Sequence, residues 1–306
     1  MAAGDVFSVP PTPDLHYVDT GMYDTAEYGS VYLLDAERPA IVDTGTGATV
    51  DRILDGLREV GIAPADLEVI AVTHVHLDHA GGAGHLLEEC PNATVVAYER
   101  GAGHLRDPER LVAGTKAVVG DNWEFYADPK PIPDDRLREV GAGDGIDLGD
   151  RELRVHPAHG HAPHQVVFEE PSSGTVFTAD AAGIYVPAID EVRPTSPPSN
   201  FDLEGVLGDA AMIDGLDPQV LCYGHFGAAR ADGRLREYAN VIASWVAAVA
   251  EKRSELDDDD EAVAEYFGET APLIASWGER RSRVEGAMNA RGVMGYLDQR
   301  AAAREE

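Results

Sequence analysis

Between Thr73 and Ala80 the chain reads His74-Val75-His76-Leu77-Asp78-His79, three histidines and a carboxylate in six positions. Histidine is scarce here, 11 in 306 residues, and its neutral imidazole is the commonest protein ligand for zinc-like metals. The run follows an apolar, strand-like stretch over 69–73. It precedes Gly81-Gly82, where the backbone can turn closely around whatever the imidazoles hold. Density and placement together predict a metal site, and one suited to two ions. Three more candidates lie downstream, each at a strand-to-loop transition: His161 within 157–164, Asp180 closing 176–180, and His225 within 222–227. Glycine directly precedes both His161 and His225, which permits close backbone approach.

The elements that must position these groups read as short β-rich segments alternating with helical ones. Residues 31–34 and 40–43 form a hairpin pair of strands, and Val50, Ile53, Leu54, Leu57 and Val60 mark one stripe of a helix. A helix over 82–89 and a strand over 94–98 follow the histidine run, and strands return at 153–155, 165–168 and 175–178. Residues 100–135, rich in Pro, Gly and charge, read as an irregular insertion over the core. Residues 187–200, with four prolines, read as a long loop. From Gly233 onward the pattern is helical, with one helix over 235–253 and at least two more beyond it. Strand–helix units on each side of a central region predict an α/β fold of two sheets covered by helices. The expected division is a catalytic domain over 1–255 and a helical C-terminal extension over 256–306. Tyr266, Phe267, Trp277 and Tyr296 in the extension predict packing onto the core, either as further core or as one wall of the active-site cleft.

Fifty-five acidic residues face 24 basic ones, for a net charge of −31, and only Lys116, Lys130 and Lys252 are lysines. Such a charge favours solubility but makes the compact state repel itself. Concentrated salt screens that repulsion, because the Debye length falls to about 3 Å at 1 M. Few lysines and acidic residues spread along the whole chain resemble proteins of salt-accumulating haloarchaea rather than a localised patch for a basic partner. No apolar run approaches the roughly 20 residues a bilayer crossing needs, and no basic-then-apolar leader opens the chain. A cytoplasmic protein without a membrane partner is therefore expected. Cys90 and Cys222, far apart in sequence, suit two buried thiols in a reducing compartment. The one dense basic stretch, 280–283, alternates with acids on a predicted helix and reads as a solvated face, so no nucleic-acid partner is expected. The partner is a small-molecule substrate, and a homo-oligomer stays open.

The H-x-H-x-D-H run at 74–79, Gly160-His161, Asp180, Gly224-His225 and the turn Asp43-Thr44-Gly45 agree in order and spacing with one family. Over residues 15–230 the chain resembles the metallo-β-lactamase superfamily. The resemblance implies an αββα sandwich with the site at one edge. It also implies His74, His76 and His161 on one metal, Asp78, His79 and His225 on the other, and Asp180 bridging them. Imidazole and carboxylate donors suit two Zn²⁺ ions, with Mn²⁺ or Fe²⁺ open, at the roughly 3.5–4 Å separation of two-metal hydrolases. Catalysis would then use a bridging hydroxide and no protein nucleophile. Asp78 and Asp180 are the catalytic carboxylates in this reading, with Asp78 orienting the hydroxide and passing its proton to the leaving group. Asp43 is expected to fix a ligand imidazole. The chain departs from the family pattern at 158–164, where His159 and His164 are extra imidazoles, read as donors behind the ligands or as polar loop residues.

The ligand set resembles those of hydroxyacylglutathione hydrolase-like thioesterases, N-acyl lactonases and RNA-processing phosphodiesterases, and differs from that of the better-known β-lactamases. A thioester or other small acyl ester is the first expectation, by elimination. A lactone is the second: superfamily lactonases use a Tyr near the bridging Asp, and Tyr185 lies five residues after Asp180. Mono-iron sulfur oxygenation would go with an incomplete second donor set, and a non-catalytic binding module with a broken one. All seven positions are intact here.

Overall fold

The computed structural model describes residues 2–198 and 200–305. Positions 1 and 306 of the terminal readings, and residue 199 in the loop expected over 187–200, lie outside the described residues. Strands β1 (Val6–Val9), β2 (Thr12–Asp19), β3 (Ser30–Leu34), β4 (Ala40–Val42), β5 (Val69–Val72), β6 (Thr94–Tyr98) and β7 (Leu137–Val140) form one sheet in that order. Antiparallel pairing from β1 to β4 gives way to parallel pairing from β4 to β7. The chain then continues through β8 (Gly145–Asp147), β9 (Glu152–Pro157), β10 (Val166–Glu170) and β11 (Thr175–Ala179). A separate hairpin follows, β12 (Ile184–Val186) and β13 (Glu191–Arg193). Strands β14 (Val220–Tyr223) and β15 (Ala228–Arg230) complete a second sheet of order β15-β14-β11-β10-β9-β8, in which only β11 and β14 are parallel.

Parallel neighbours require crossovers, and helices supply them. Helix α1 (Val50–Glu59) joins β4 to β5, α2 (Leu77–Ala80) and α3 (Ala83–Glu89) join β5 to β6, and α4 (Glu99–Arg106) and α5 (Glu109–Val119) join β6 to β7. Helix α6 (Leu203–Asp214) precedes β14, and α7 (Arg234–Glu255), α8 (Asp260–Glu269) and α9 (Gly278–Glu305) follow β15.

Strand alternation sorts the apolar residues into layers. Val31, Leu33, Ile70, Val72 and Val95 face Ile53, Leu57 and Leu86 of the helices on one side. Their neighbours Tyr32, Leu34, Ala71 and Val96 face Val155, Phe168, Phe177 and Cys222 of the second sheet. The far face of that sheet, with Val167, Val176, Leu221 and Tyr223, packs under α6 to α9. The result is the expected αββα sandwich. Each fully buried Leu, Ile, Val or Phe in it contributes about 1.5–3 kcal/mol of transfer free energy.

Two expectations require correction. Residues 100–135 are not irregular: α4 and α5 occupy half of the segment, followed by a 3₁₀ turn over Gly120–Phe125. Pro108 sits just before the first turn of α5, where its missing N–H is harmless. The loop over 187–200 contains β13. Helix α9 packs on the rest of the chain in two places. Ala290, Val293 and Met294 join the core under α6 and α7, while Glu285 and Met288 line the cleft described below. Cys90 and Cys222 are free and buried. Among the described residues no helix is long and apolar enough to cross a membrane.

Candidate metal centre

Strands β4, β5, β11 and β14 deliver their C-terminal ends to one edge of the sandwich, the usual place for a site in parallel sheets. Asp43 follows β4, Thr73 and His74 follow β5, Asp180 follows β11, and His225 follows β14; His161 comes from the β9–β10 loop. The register of β11 on β14 shifts between Phe177 and Ala179, and Ala179 has φ of +44°. A bulge of this kind re-aims the following side chain, and the backbone strain is held by the surrounding core. Gly160 lets the His161 loop lie against α6, since a Cβ there would sit 2.1 Å from the Val206 nitrogen. Gly224 similarly leaves room for His79, whose Cε1 would lie 2.6 Å from an added Cβ.

Seven side chains meet at this edge in two adjacent groups: His74, His76, His161 and Asp180, and Asp78, His79 and His225. Within the first, His76 Nδ1 lies 3.0 Å from His74 Nε2 and 3.2 Å from His161 Nε2. Asp180, of the first group, also lies near the second. Its Oδ2 is 3.1 Å from His161 Nε2 and 3.6 Å from His79 Nε2, and its Oδ1 is 3.7 Å from His225 Nε2. Asp78 Oδ2 is 3.4 Å from His225 Nε2.

The outward ring nitrogens of His79 and His225 are fixed by the protein. His79 Nδ1 donates to Asp43 Oδ2 at 2.9 Å, and His225 Nδ1 donates to the Tyr28 carbonyl at 2.7 Å. Asp43 also accepts from the Thr73 N–H and hydroxyl, both at 2.8 Å. It makes these contacts from a left-handed backbone with φ of +63°. With Nδ1 of His79 and His225 engaged as donors, each Nε2 lone pair is left for the centre.

Burial and mutual charge set the protonation of the cluster. Burial pushes His74 well below the ordinary imidazole range and His161 down to about 3, with the neighbouring rings adding to the effect at His74. His76 is lowered by the same desolvation. Burial alone would raise Asp78 and Asp180, but the surrounding imidazoles outweigh it and hold both well below the usual carboxylate range. Burial likewise opposes charge on His79 and His225, and the nearby carboxylates, Asp180 foremost, raise both. Neutral imidazoles beside ionised carboxylates are the forms that bind divalent metals. His74, His76 and His161 are therefore ready for one, whereas binding at His79 and His225 must displace the proton that the carboxylates favour there.

These residues fit metal ions. His79 Nε2 and Asp180 Oδ1, both facing the cluster, are buried without a hydrogen-bond partner, which costs about 1–3 kcal/mol per group unless something compensates. The nitrogen and oxygen donors lack thiolates, a set suited to Zn²⁺, Mn²⁺ or Fe²⁺.

A cleft of about 450 Å³ lies over the cluster, with His76, Asp78, His161, Asp180 and His225 among its walls. Of the extra imidazoles, His164 lines this cleft, its ring parallel to that of His74 at 6.1 Å, and burial pushes it down to about 3. His159 instead packs on Tyr98. Tyr185 is not brought to the cluster. Its hydroxyl donates to Asp190 at 2.8 Å and its ring stacks on Tyr223. Strand alternation explains this: Ile184 and Val186 turn to the Tyr28 and Leu77 side, and Tyr185 to the opposite core.

Sequence reasoning missed the aromatic wall beside Asp78. Tyr23 and Tyr126 line the cleft with their hydroxyls 2.6 Å apart. Arg281, expected on a solvated face, is buried, with its guanidinium over the rings of Tyr23 at 4.2 Å and Tyr28 at 4.5 Å. It pairs with Glu285, one turn on, which also accepts from the Tyr28 hydroxyl at 2.9 Å. The Glu285 carboxylate and the two ring faces offset the cost of burying this charge. The only local signal was the four-residue spacing of Arg281 and Glu285.

The family model described as the metallo-beta-lactamase superfamily matches residues 24–225. A metallo-beta-lactamase fold-containing protein of Sulfurisphaera tokodaii is 26% identical over 225 residues, covering 71% of this chain and 80% of the relative. An acyl-coenzyme A thioesterase of Gallus gallus is 27% identical over 257 residues, 79% of this chain and 89% of its own length. Among solved structures, an archaeal superfamily protein from Sulfolobus tokodaii aligns with a TM-score of 0.70 at 22% identity, covering 91% of this chain and 97% of that one.

Proposed function

The chain belongs to the metallo-β-lactamase superfamily, and from that premise we propose a dinuclear metal-dependent hydrolase of small acyl substrates, thioesters or esters first. The observation that carries this reading is Asp180, whose two oxygens face the imidazoles of both donor groups. His74, His76 and His161 would hold one ion, Asp78, His79 and His225 the other, and Asp180 both. When bound, such a pair of ions lowers the pKa of water towards about 7 and polarises an acyl oxygen. The chain's own residues do the rest. Asp78, 23% exposed in its side chain, is the carboxylate open to the cleft, placed to orient the attacking water and to carry its proton to the leaving group. Asp43 and the Tyr28 carbonyl hold His79 and His225 in the tautomer that the site requires.

The similarity to a named acyl-coenzyme A thioesterase supports the acyl choice. Lactone opening is the second reading. Tyr185 does not serve it, but the Tyr23–Tyr126 pair does offer hydroxyls in the cleft. One hydroxyl of that pair donates to the other, leaving a second hydrogen free for a substrate oxygen. The test compares acyl thioesters with lactones on purified, metal-loaded protein at high salt. Thioester cleavage that Asp78→Ala largely abolishes, with the fold intact by circular dichroism, is expected. Lactone opening without thioester cleavage reverses the order, and near-wild-type rates in Asp78→Ala overturn the two-metal mechanism.

A further inference from the structure

We propose that the α5 side of the cleft is an acyl-chain subsite, and that Gly114 sets the length of chain it admits; this rests on the acyl-hydrolase reading above. Helix α5 is 11 residues long and has no buried residue, although it carries Leu111, Val112, Val118 and Val119. Val118 is 46% exposed. Leu111, Gly114, Thr115, Val118 and Val119 all line the metal cleft. Their spacing of three and four residues places them on one helical face. Met288 of α9, Pro197 and Pro198 also line it.

One continuous cavity therefore combines a set of metal donors with an apolar wall. Continuity of this wall with Asp78 and Asp180 in one cavity points to the occupant. An acyl carbonyl placed at the donors leaves its alkyl chain against α5. A neighbouring apolar cavity of about 280 Å³, lined by Trp245, Phe267 and Trp277, shares Ile184 and Glu285 with the cleft but none of the seven donors. Gly114 is the gap in the α5 wall. A Cβ there meets nothing within 4 Å, so a larger side chain starts in open space at the cleft wall.

The magnitude follows from methylene burial. Each CH₂ seated against the wall should tighten binding about fourfold, the equivalent of ~0.8 kcal/mol. The experiment uses metal-loaded protein in two readouts. Calorimetric titration compares octanoate with acetate, and kcat/KM is measured for acetyl to octanoyl thioesters of one thiol. Wild type should bind octanoate at least about 50-fold more tightly than acetate, as three seated methylenes give. Gly114→Trp, and independently Val118→Gln at its exposed position, should cut that preference severalfold and move the thioester optimum to shorter chains. Equal binding of the two acids by wild type overturns the subsite, and an unchanged preference in both variants overturns its assignment to α5. If the octanoate preference is present and falls in the variants while no ester or thioester is cleaved at any length, the subsite stands and the acyl-hydrolase reading falls.

Discussion

Replacing Asp43 by Asn exchanges one oxygen for an NH₂ group and should weaken metal binding from a position that does not itself face the metals. In the native arrangement Asp43 only accepts: from the Thr73 N–H and hydroxyl through Oδ1 at 2.8 Å, and from His79 Nδ1 through Oδ2 at 2.9 Å. An Asn that keeps its oxygen towards Thr73 sets an N–H donor against His79 Nδ1. The imidazole must then move its proton to Nε2, the atom facing Asp180, and lose its lone pair for the metal. The flipped amide places the donor against the buried Thr73 N–H instead, leaving it unpaired at about 1–3 kcal/mol. The backbone itself is unaffected, because Asn tolerates the φ of +63°. Loss of such a partner lowers metal affinity about 10–100-fold, or roughly 1.4–2.7 kcal/mol. Competition against a chromophoric chelator, with two affinities fitted, measures it directly. The loss should fall on one of the two ions. Unchanged affinity for both, in a folded Asp43→Asn protein, refutes the argument that Asp43 fixes the His79 tautomer.

Three further outcomes are expected. Gly160→Ala forces a Cβ to within 2.1 Å of the Val206 backbone, so α6 or the His161 loop must shift; about 1–3 kcal/mol of stability should be lost, with reduced metal content, by urea unfolding and elemental analysis. Asp209 accepts from the Gly160 N–H at 2.7 Å, and burial raises its carboxyl to about 6 from 3.8. Because the folded state binds this proton more tightly, its contribution is full below about pH 3.8 and is lost as pH rises through about 6. The shift corresponds to about 3 kcal/mol, discounted to roughly 1–2 for partial exposure, so Asp209→Asn should gain that much on wild type between pH 4 and pH 7; a constant difference in unfolding free energy contradicts it. Finally, with a net charge of −31, the Tm should climb as KCl rises from 0.1 to about 1 M and the Debye length falls from about 10 to about 3 Å; a Tm indifferent to salt counts against the halophilic reading.

The seven candidate donors stood out in the sequence because four of them occur in six positions after β5 and the other three lie in segments that follow strands. The layers were legible from strand alternation, as at Val31 to Leu34, where neighbours divide between two cores. Residues 100–135 were misread because Pro129, Pro131 and Pro133 and several glycines mask α5, whose apolar residues face a cleft rather than a core. Tyr185 was misjudged on sequence distance from Asp180; alternation along β12 would have placed Ile184 and Val186, not Tyr185, towards the site. Arg281 is beyond any local reading, since its partners Tyr23 and Tyr28 lie some 250 residues away.

The central claim is a cage for two ions that share Asp180. Its most direct test is the metal-to-protein ratio of the purified, dialysed chain by elemental mass spectrometry, for wild type and for Asp180→Ala, with hydrolysis followed on the same samples. A ratio near two in wild type that falls in the variant together with activity is predicted. Full wild-type activity with one metal or none per chain contradicts it.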